Sequence, residues 1–247
     1  MRKLILHIPH SETKIPIKEG FILNDQIIQN EILKLTDWHT EDLYNSSDCE
    51  KIVFEYSRIF CDPERFADDS KESMAKVGMG VLYNKTDNGR TLRIISSDLR
   101  ERILNEFYFK HHSMLSRAVK YQLKTYGKAL ILDCHSFPNM PLKCSVHKTI
   151  PQPEINIGTD EFHTPQNLID ISVEYFSERN FTVGINYPFS GTIVPNKYYK
   201  KNHKVESIML EINRKLYLTE RSNEKSEQYN VTKLAIQGYI DLLRNKL

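Results

Sequence analysis

Lys128-Ala129-Leu130-Ile131-Leu132-Asp133-Cys134-His135-Ser136 is the stretch on which the reading of this chain turns. Ala129 to Leu132 form a short apolar run of the kind that makes a buried strand, bounded by Gly127 and Lys128. It leads directly into an acid, a thiol, an imidazole and a hydroxyl. Such groups are costly to desolvate unless they are paired or bound to an ion. In α/β proteins the carboxyl ends of buried strands are where ligands and catalytic groups collect. Asp133 and His135 are two residues apart and share one side of an extended backbone, whereas Cys134 points to the other.

Working outward from this strand, read as Ala129 to Asp133, four further strand-like runs are expected at Leu4 to Ile8, Lys51 to Tyr56, Phe181 to Ile185 and Ser207 to Ile212. Amphipathic stretches lie between and after them, at Gln26 to Leu35, Glu41 to Asn45, Asp98 to Tyr126, Gln166 to Arg179 and Thr232 to Leu247. Ser97 or Asp98 is the expected N-cap of the longest helix. Strands alternating with long helices predict an α/β fold, a mostly parallel sheet covered on both faces. No repeat, low-complexity segment or Gly/Ser linker divides the 247 residues, so residues 1–247 are read as a single domain. Two loop-rich regions, Asp62 to Asn88 and Phe137 to Gln166, each follow a strand on the side where a site would form.

Composition excludes several functions. The 34 basic and 32 acidic residues nearly balance, and the longest basic cluster, Lys197 to Lys204, is broken by Tyr198, Tyr199 and Asn202. No basic face for nucleic acid is expected from this pattern. The apolar run Leu4-Ile5-Leu6 is stopped by His7 and Pro9, short of a signal sequence or a membrane span, so a cytoplasmic protein with no membrane partner is expected. Cys49, Cys61, Cys134 and Cys144 form no C-x-x-C pair and read as free thiols. Oligomeric state is not legible.

The polar residues gather at strand ends. His7-Ile8-Pro9-His10-Ser11 follows the first run, and Ser57-Arg58 with Asp62 and Arg65 follows the second. Asn186-Tyr187-Pro188-Phe189 follows the fourth, and Glu211 sits inside the otherwise apolar last run. Asp37-Trp38-His39-Thr40-Glu41-Asp42 adds a dense set of ligand types at the head of a helix. Two histidines from different strands plus a carboxylate make the open site of a catalytic zinc. The alternative for each histidine is hydrogen bonding in the core, the reading taken for His111, His112, His147, His163 and His203. For Glu211 the alternative is a structural ion pair, and for Asp133 a role orienting a ligand histidine. Ser136 lacks a G-x-S-x-G elbow, Cys134 and His135 face opposite ways, and no Walker A or G-x-G-x-x-G sequence occurs.

Seven motifs taken together carry a resemblance. Pro9-His10-Ser11, Asp37-Trp38-His39, Ser57-Arg58 with Asp62 and Arg65, Asp133-Cys134-His135-Ser136, Asn156-Ile157-Gly158-Thr159, Asn186-Tyr187-Pro188-Phe189 and Leu210-Glu211-Ile212 resemble, in order, those of the N-formylglutamate amidohydrolase family. The resemblance spans about Leu4 to Tyr217. It implies a three-layer α/β/α sandwich with a mixed, mostly parallel sheet, resembling zinc carboxypeptidases, and hydrolysis of an amide bond by metal-activated water. It further implies His10 and His135 as zinc ligands, with Asp37 as the third, Glu41 as its rival and Glu12 a more distant one. Glu211 stands at the catalytic glutamate, and Arg65, Asn186 and Arg58 at substrate-binding positions suited to a small anionic acyl-amino acid. The sequence departs from the family pattern at Glu12, at Glu64 and at Thr192, changes that bear on which substrate is bound more than on hydrolysis. A zinc peptidase, a peptidoglycan amidase and a non-catalytic binding module on the same fold are the alternatives.

Overall fold

Six short hydrophobic runs pair into one sheet in the computed structural model, which describes residues 3–246. Met1, Arg2 and Leu247, the last of them assigned by sequence patterning to the closing helix, lie outside the described residues. The strands are β1 (Ile5–Ile8), β2 (Glu50–Val53), β3 (Ala129–Phe137), β4 (Ile155–Gly158), β5 (Val183–Ile185) and β6 (Val205–Asn213). Their order across the sheet is β2-β1-β3-β6-β4-β5. All neighbours are parallel except β4, which runs antiparallel to β6. The sheet is therefore mixed and mostly parallel.

Strand periodicity sorts the apolar side chains onto two faces. Leu4, Leu6, Ile8, Leu130, Leu132 and Cys134 pack with Phe176 of α5 (Gln166–Ser177) and with Ile236, Ile240 and Leu243 of α6 (Tyr229–Asn245). Ile5, Ala129 and Ile131 point the other way, onto Leu115, Ala118 and Val119 of α4 (Phe109–Tyr126). Both faces are thus covered by helices whose buried residues recur every three or four positions, and the fold is an α/β/α sandwich.

The remaining helices follow from local signals. In α1 (Asp25–Leu35) the Asn24 side chain caps the start by accepting from the Ile27 N–H at 3.0 Å, and Ile28, Ile32 and Leu35 form its buried stripe. The short α2 (Thr40–Leu43) follows within a few residues. The stretch expected as one helix over Asp98 to Tyr126 is α3 (Ser97–Ile103), a π-helical turn over Leu104–Tyr108, and α4. Its cap is Ser96, one residue earlier than the sequence pattern placed it, accepting from the Leu99 N–H at 3.2 Å.

Two strand expectations are corrected. β3 does not end at Asp133: Cys134, His135, Ser136 and Phe137 continue in register with Leu210, Glu211, Ile212 and Asn213. Polar residues stay in a strand here because ladder hydrogen bonds depend only on backbone. β4 lies inside the region read as loop between Phe137 and Gln166. It is four residues long, follows Pro151 and Pro153, and contains Asn156, so its apolar content is too small to stand out. This short strand takes its stability from β6, against which every one of its residues is registered.

The topology sets up the site. β1, β3 and β6 are adjacent and parallel, so their carboxyl ends lie side by side. His10 stands two residues beyond β1, and His135 sits opposite Glu211 in the β3–β6 register.

Candidate metal centre and its cavity

His10, Asp37 and His135 are buried and present ligand atoms that all lie within 4.8 Å of one another. The His10 and His135 Nδ1 atoms are 3.3 Å apart. Asp37 Oδ2 is 3.1 Å from His135 Nδ1 and 3.6 Å from His10 Nδ1. Donors about 2.0–2.1 Å from a tetrahedral ion stand roughly 3.3–3.4 Å apart, so this trio fits a zinc-sized cation.

Each imidazole is turned by a second carboxylate. His10 Nε2–H donates to Asp62 Oδ1 at 2.9 Å. His135 Nε2 is 3.2 Å from Asp133 Oδ1 and 3.0 Å from Glu64 Oε2. With the Nε2 protons directed to carboxylates, both Nδ1 atoms face the Asp37 carboxylate, the arrangement that metal-ligating histidines adopt. Burial by itself pushes the His135 imidazole down, but the charges of Glu64 and Asp133 outweigh it and hold the ring well above the usual histidine range. Against the cost of burial, hydrogen bonds from His10 and His135 keep Asp37 well below the usual carboxylate range.

Asp37 reaches the site because the chain leaving α1 is tied to the end of β1, where the Asp37 N–H donates to the His10 carbonyl at 3.0 Å. The Ser136 N–H donates to Asp37 Oδ2 at 3.2 Å, and Arg214 Nη2 donates to Asp37 Oδ1 at 3.0 Å. Glu41 is exposed and Glu12 is half-buried, and neither joins the cluster. His39 Nε2–H donates elsewhere, to the Asn223 carbonyl at 2.8 Å.

Glu211 is 7% exposed, and its Oε2 is buried with no hydrogen-bond partner among the described residues. Desolvation pushes the carboxyl up to about 8, opposed by the charge of His135 and reinforced by that of Asp37. A buried carboxylic acid titrating near neutrality is suited to proton transfer in both directions.

These groups open onto a cavity of about 350 Å³ lined also by Arg58, Glu64, Arg65 and Arg214. Arg58 donates to Asp62 Oδ2 through Nη2 at 2.9 Å and to the Tyr83 hydroxyl through Nε at 3.2 Å. Its Nη1 lies 3.8 Å from Asp37 Oδ1. The Arg65 Nε is buried without a hydrogen bond among the described residues, 3.9 Å from Asp62 Oδ2.

Asn186 is placed elsewhere. It is exposed, does not line the cavity, and adopts a left-handed backbone with φ of 53°. Its side chain accepts from the Thr159 N–H at 2.9 Å and donates to Thr159 Oγ1 at 2.7 Å, which holds the turn after β5 against the end of β4. Among the residues of that motif, Pro188 and Phe189 line the cavity instead.

Sequence patterning missed Arg214 as a site residue. Its only cue is its position directly after β6, in the run Ile212-Asn213-Arg214. The partners of the other histidines are now visible. His111 meets His7 through their Nε2 atoms at 2.9 Å, His112 Nε2 donates to the Pro63 carbonyl at 2.8 Å, and His163 Nδ1 donates to the Val205 carbonyl at 2.8 Å. His147 packs edge-on to Tyr187 and His203 stacks on Phe162. The four cysteines are free, and Cys134 packs on the face away from His135.

With the geometry in place, the family model for N-formylglutamate amidohydrolase matches residues 2–218. The chain belongs to the N-formylglutamate amidohydrolase family. An N-formylglutamate deformylase of Pseudomonas putida is 21% identical over 234 residues, covering 88% of this chain and 82% of that protein. The crystal structure of N-formylglutamate amidohydrolase from Ralstonia eutropha superposes with a TM-score of 0.84 at 19% identity, over 100% of this chain and 96% of that one. A structure from Agrobacterium tumefaciens gives 0.65 at 15% identity, over 98% and 92%. At such identities these likenesses establish the fold, while the family model establishes membership of an amidohydrolase family. Among the described residues, no helix is long and apolar enough to cross a membrane.

Proposed function

We propose that this single-domain member of the N-formylglutamate amidohydrolase family is a zinc-dependent hydrolase that removes the acyl group from a small N-acylated amino acid. The observation that carries the reading is the separation of the three ligand atoms, 3.3, 3.1 and 3.6 Å, with Glu211 registered opposite His135. His10, Asp37 and His135 would hold the ion, which would supply a Lewis acid to polarise the scissile carbonyl and acidify water.

The chain's own groups do the rest. Glu211 takes a proton from the attacking water as its oxygen adds to the acyl carbon, then delivers that proton to the nitrogen as the C–N bond breaks. The products are a free amino acid and the acyl group's carboxylic acid. Arg58, fixed by Asp62 and Tyr83, directs its Nη1 end to the side of Asp37 and stabilises negative charge developing on the carbonyl oxygen. Arg65, in the cavity wall, anchors the substrate carboxylate.

The test is release of free amine from N-formylglutamate and a panel of N-acetyl amino acids by the zinc-loaded protein. Turnover is expected, and Glu211→Gln should lower it by about 100-fold or more at unchanged metal content. An unimpaired variant, or a wild type inert on every acyl-amino acid, refutes the reading. The second outcome favours a non-catalytic module, and activity confined to short muropeptides favours an amidase.

A further inference from the structure

We propose a second divalent-cation site, built from His7, Glu64 and Asp133, on the side of the His135 ring away from the first trio. One ligand atom from each of these three residues lies within 4.8 Å of the others. His7 and Asp133 are partners in the β1–β3 register, and each is only 1% exposed. Parallel pairing puts both side chains on one face, with His7 Nδ1 2.8 Å from Asp133 Oδ1. Glu64, two residues beyond Asp62, brings Oε1 to 3.6 Å from His7 Nδ1. Donors about 2.0–2.2 Å from an ion stand roughly 2.8–3.6 Å apart between octahedral and tetrahedral arrangements, a range that holds both separations.

Hydrogen bonding alone leaves this group incomplete. A single proton on His7 Nδ1 serves Asp133, and 3.6 Å is too long for a hydrogen bond to Glu64. A cation in place of that proton meets all three donors. His7 then keeps its proton on Nε2 and donates to His111 Nε2 at 2.9 Å, the outer partner that a ligating histidine usually has. Asp133 is oriented in the same way, its Oδ2 accepting from the Ile193 N–H at 2.9 Å. Glu64 and Asp133 also line a cavity of about 270 Å³ beside Thr192 and Asn196, which gives an ion a path to the site.

The two sites meet at His135. Its Nδ1 belongs to the first trio, while its Nε2 lies 3.0 Å from Glu64 Oε2. Glu64 therefore takes the second ion through Oε1 and the His135 ring through Oε2, so the second ion pins a ligand of the first. Glu64 is a departure from the family pattern, and the second site depends on it. One imidazole and two carboxylates suit an ion such as Mn²⁺, whereas the two imidazoles of the first trio suit zinc. The second ion is the more weakly held and is lost on dialysis, which leaves the zinc.

The experiment titrates zinc-loaded, dialysed protein with manganese chloride and reads unbound Mn²⁺ from its electron paramagnetic resonance signal. Manganese binds such donors more weakly than zinc and does not displace it, which elemental analysis of the same samples checks. The wild type should take up one further equivalent. Glu64→Gln and His7→Gln should each weaken that uptake by about 10-fold or more, at least the usual cost of losing an outer partner. Glu64, with its side chain 14% exposed, carries the test if His7→Gln does not fold. A zinc-holding wild type that takes up no manganese, or uptake unmoved in Glu64→Gln, overturns the second site and leaves the zinc trio and the hydrolase reading intact. If the protein holds no zinc, the zinc-dependent reading fails, and the same titration of the metal-free protein still decides the second site by whether Glu64→Gln weakens uptake.

Discussion

The Nδ1 atoms of His10 and His135 stand 3.3 Å apart although the residues are 125 positions apart in the chain. Adjacent parallel pairing of β1 with β3 brings them together, and Asp62 and Asp133 turn the rings so that the two nitrogens face one point. Chelator-treated protein should regain one equivalent of zinc, measured by elemental analysis after dialysis. His135→Ala should retain less than about a tenth of that, since a three-ligand site that loses one ligand binds far more weakly. At free metal 100 times Kd the wild type should gain about 2.7 kcal/mol of stability, read as a rise in melting temperature that the variant lacks. Equal zinc in both proteins would remove His135 from the ligand set.

Arg214 sets the direction of Asp37. Its guanidinium donates to Asp37 Oδ1 at 3.0 Å and to the Ser136 carbonyl at 3.2 Å, leaving Asp37 Oδ2 for the histidines. Arg214→Met should weaken zinc binding by roughly 10–100-fold, the usual effect of losing an outer partner of a ligand. Competition against a chelating dye measures this directly, and an unaltered affinity would show that Asp37 is held by Ser136 alone.

Glu211 makes metal-free stability depend on pH. Its folded-state value of about 8 lies above the 4.5 of an exposed glutamate, so the folded chain keeps a proton that the unfolded chain releases. The associated stability is complete below about 4.5 and is lost as pH rises through about 8. At pH 7 the loss is about 3 kcal/mol. Glu211→Gln removes this titration, so in the presence of chelator the variant should gain on the wild type between pH 5 and pH 8 in urea denaturation. Parallel curves for the two proteins would contradict the buried, raised carboxyl.

Asn186 ties the turn after β5 to the end of β4. Both of its side-chain polar atoms are bonded to Thr159. Asn186→Ala should leave kcat/KM within about 2-fold and lower stability by about 1 kcal/mol, the usual size of such a hydrogen-bond loss. A 10-fold fall in kcat/KM with an unchanged melting temperature would return Asn186 to the binding site.

Much of this architecture is written locally. Ala129 to Leu132, Leu4 to Ile8 and Ser207 to Ile212 are apolar enough to be read as buried strands, and the buried stripes of α1, α4 and α6 follow from helical spacing. The presence of a polar group at His135 and Glu211 inside such runs marks them for chemistry, because an apolar strand does not need them. β4 escapes notice because four residues with Asn156 among them have no pattern of their own and are held by β6.

What the sequence by itself determined is therefore the α/β class, five of the six strands that build the sheet and the residue types available at their ends. Tertiary structure alone decided which of those residues meet. Glu41 and Asp37 are indistinguishable by spacing, yet only the latter is drawn to β1 by a backbone hydrogen bond, while Glu41 stays exposed. Arg214, just beyond β6, donates to Asp37, a pairing that no spacing announces. Periodicity is a property of neighbours a few residues apart, whereas a ligand set depends on contacts across more than a hundred residues, which only the packed sheet brings within bonding distance.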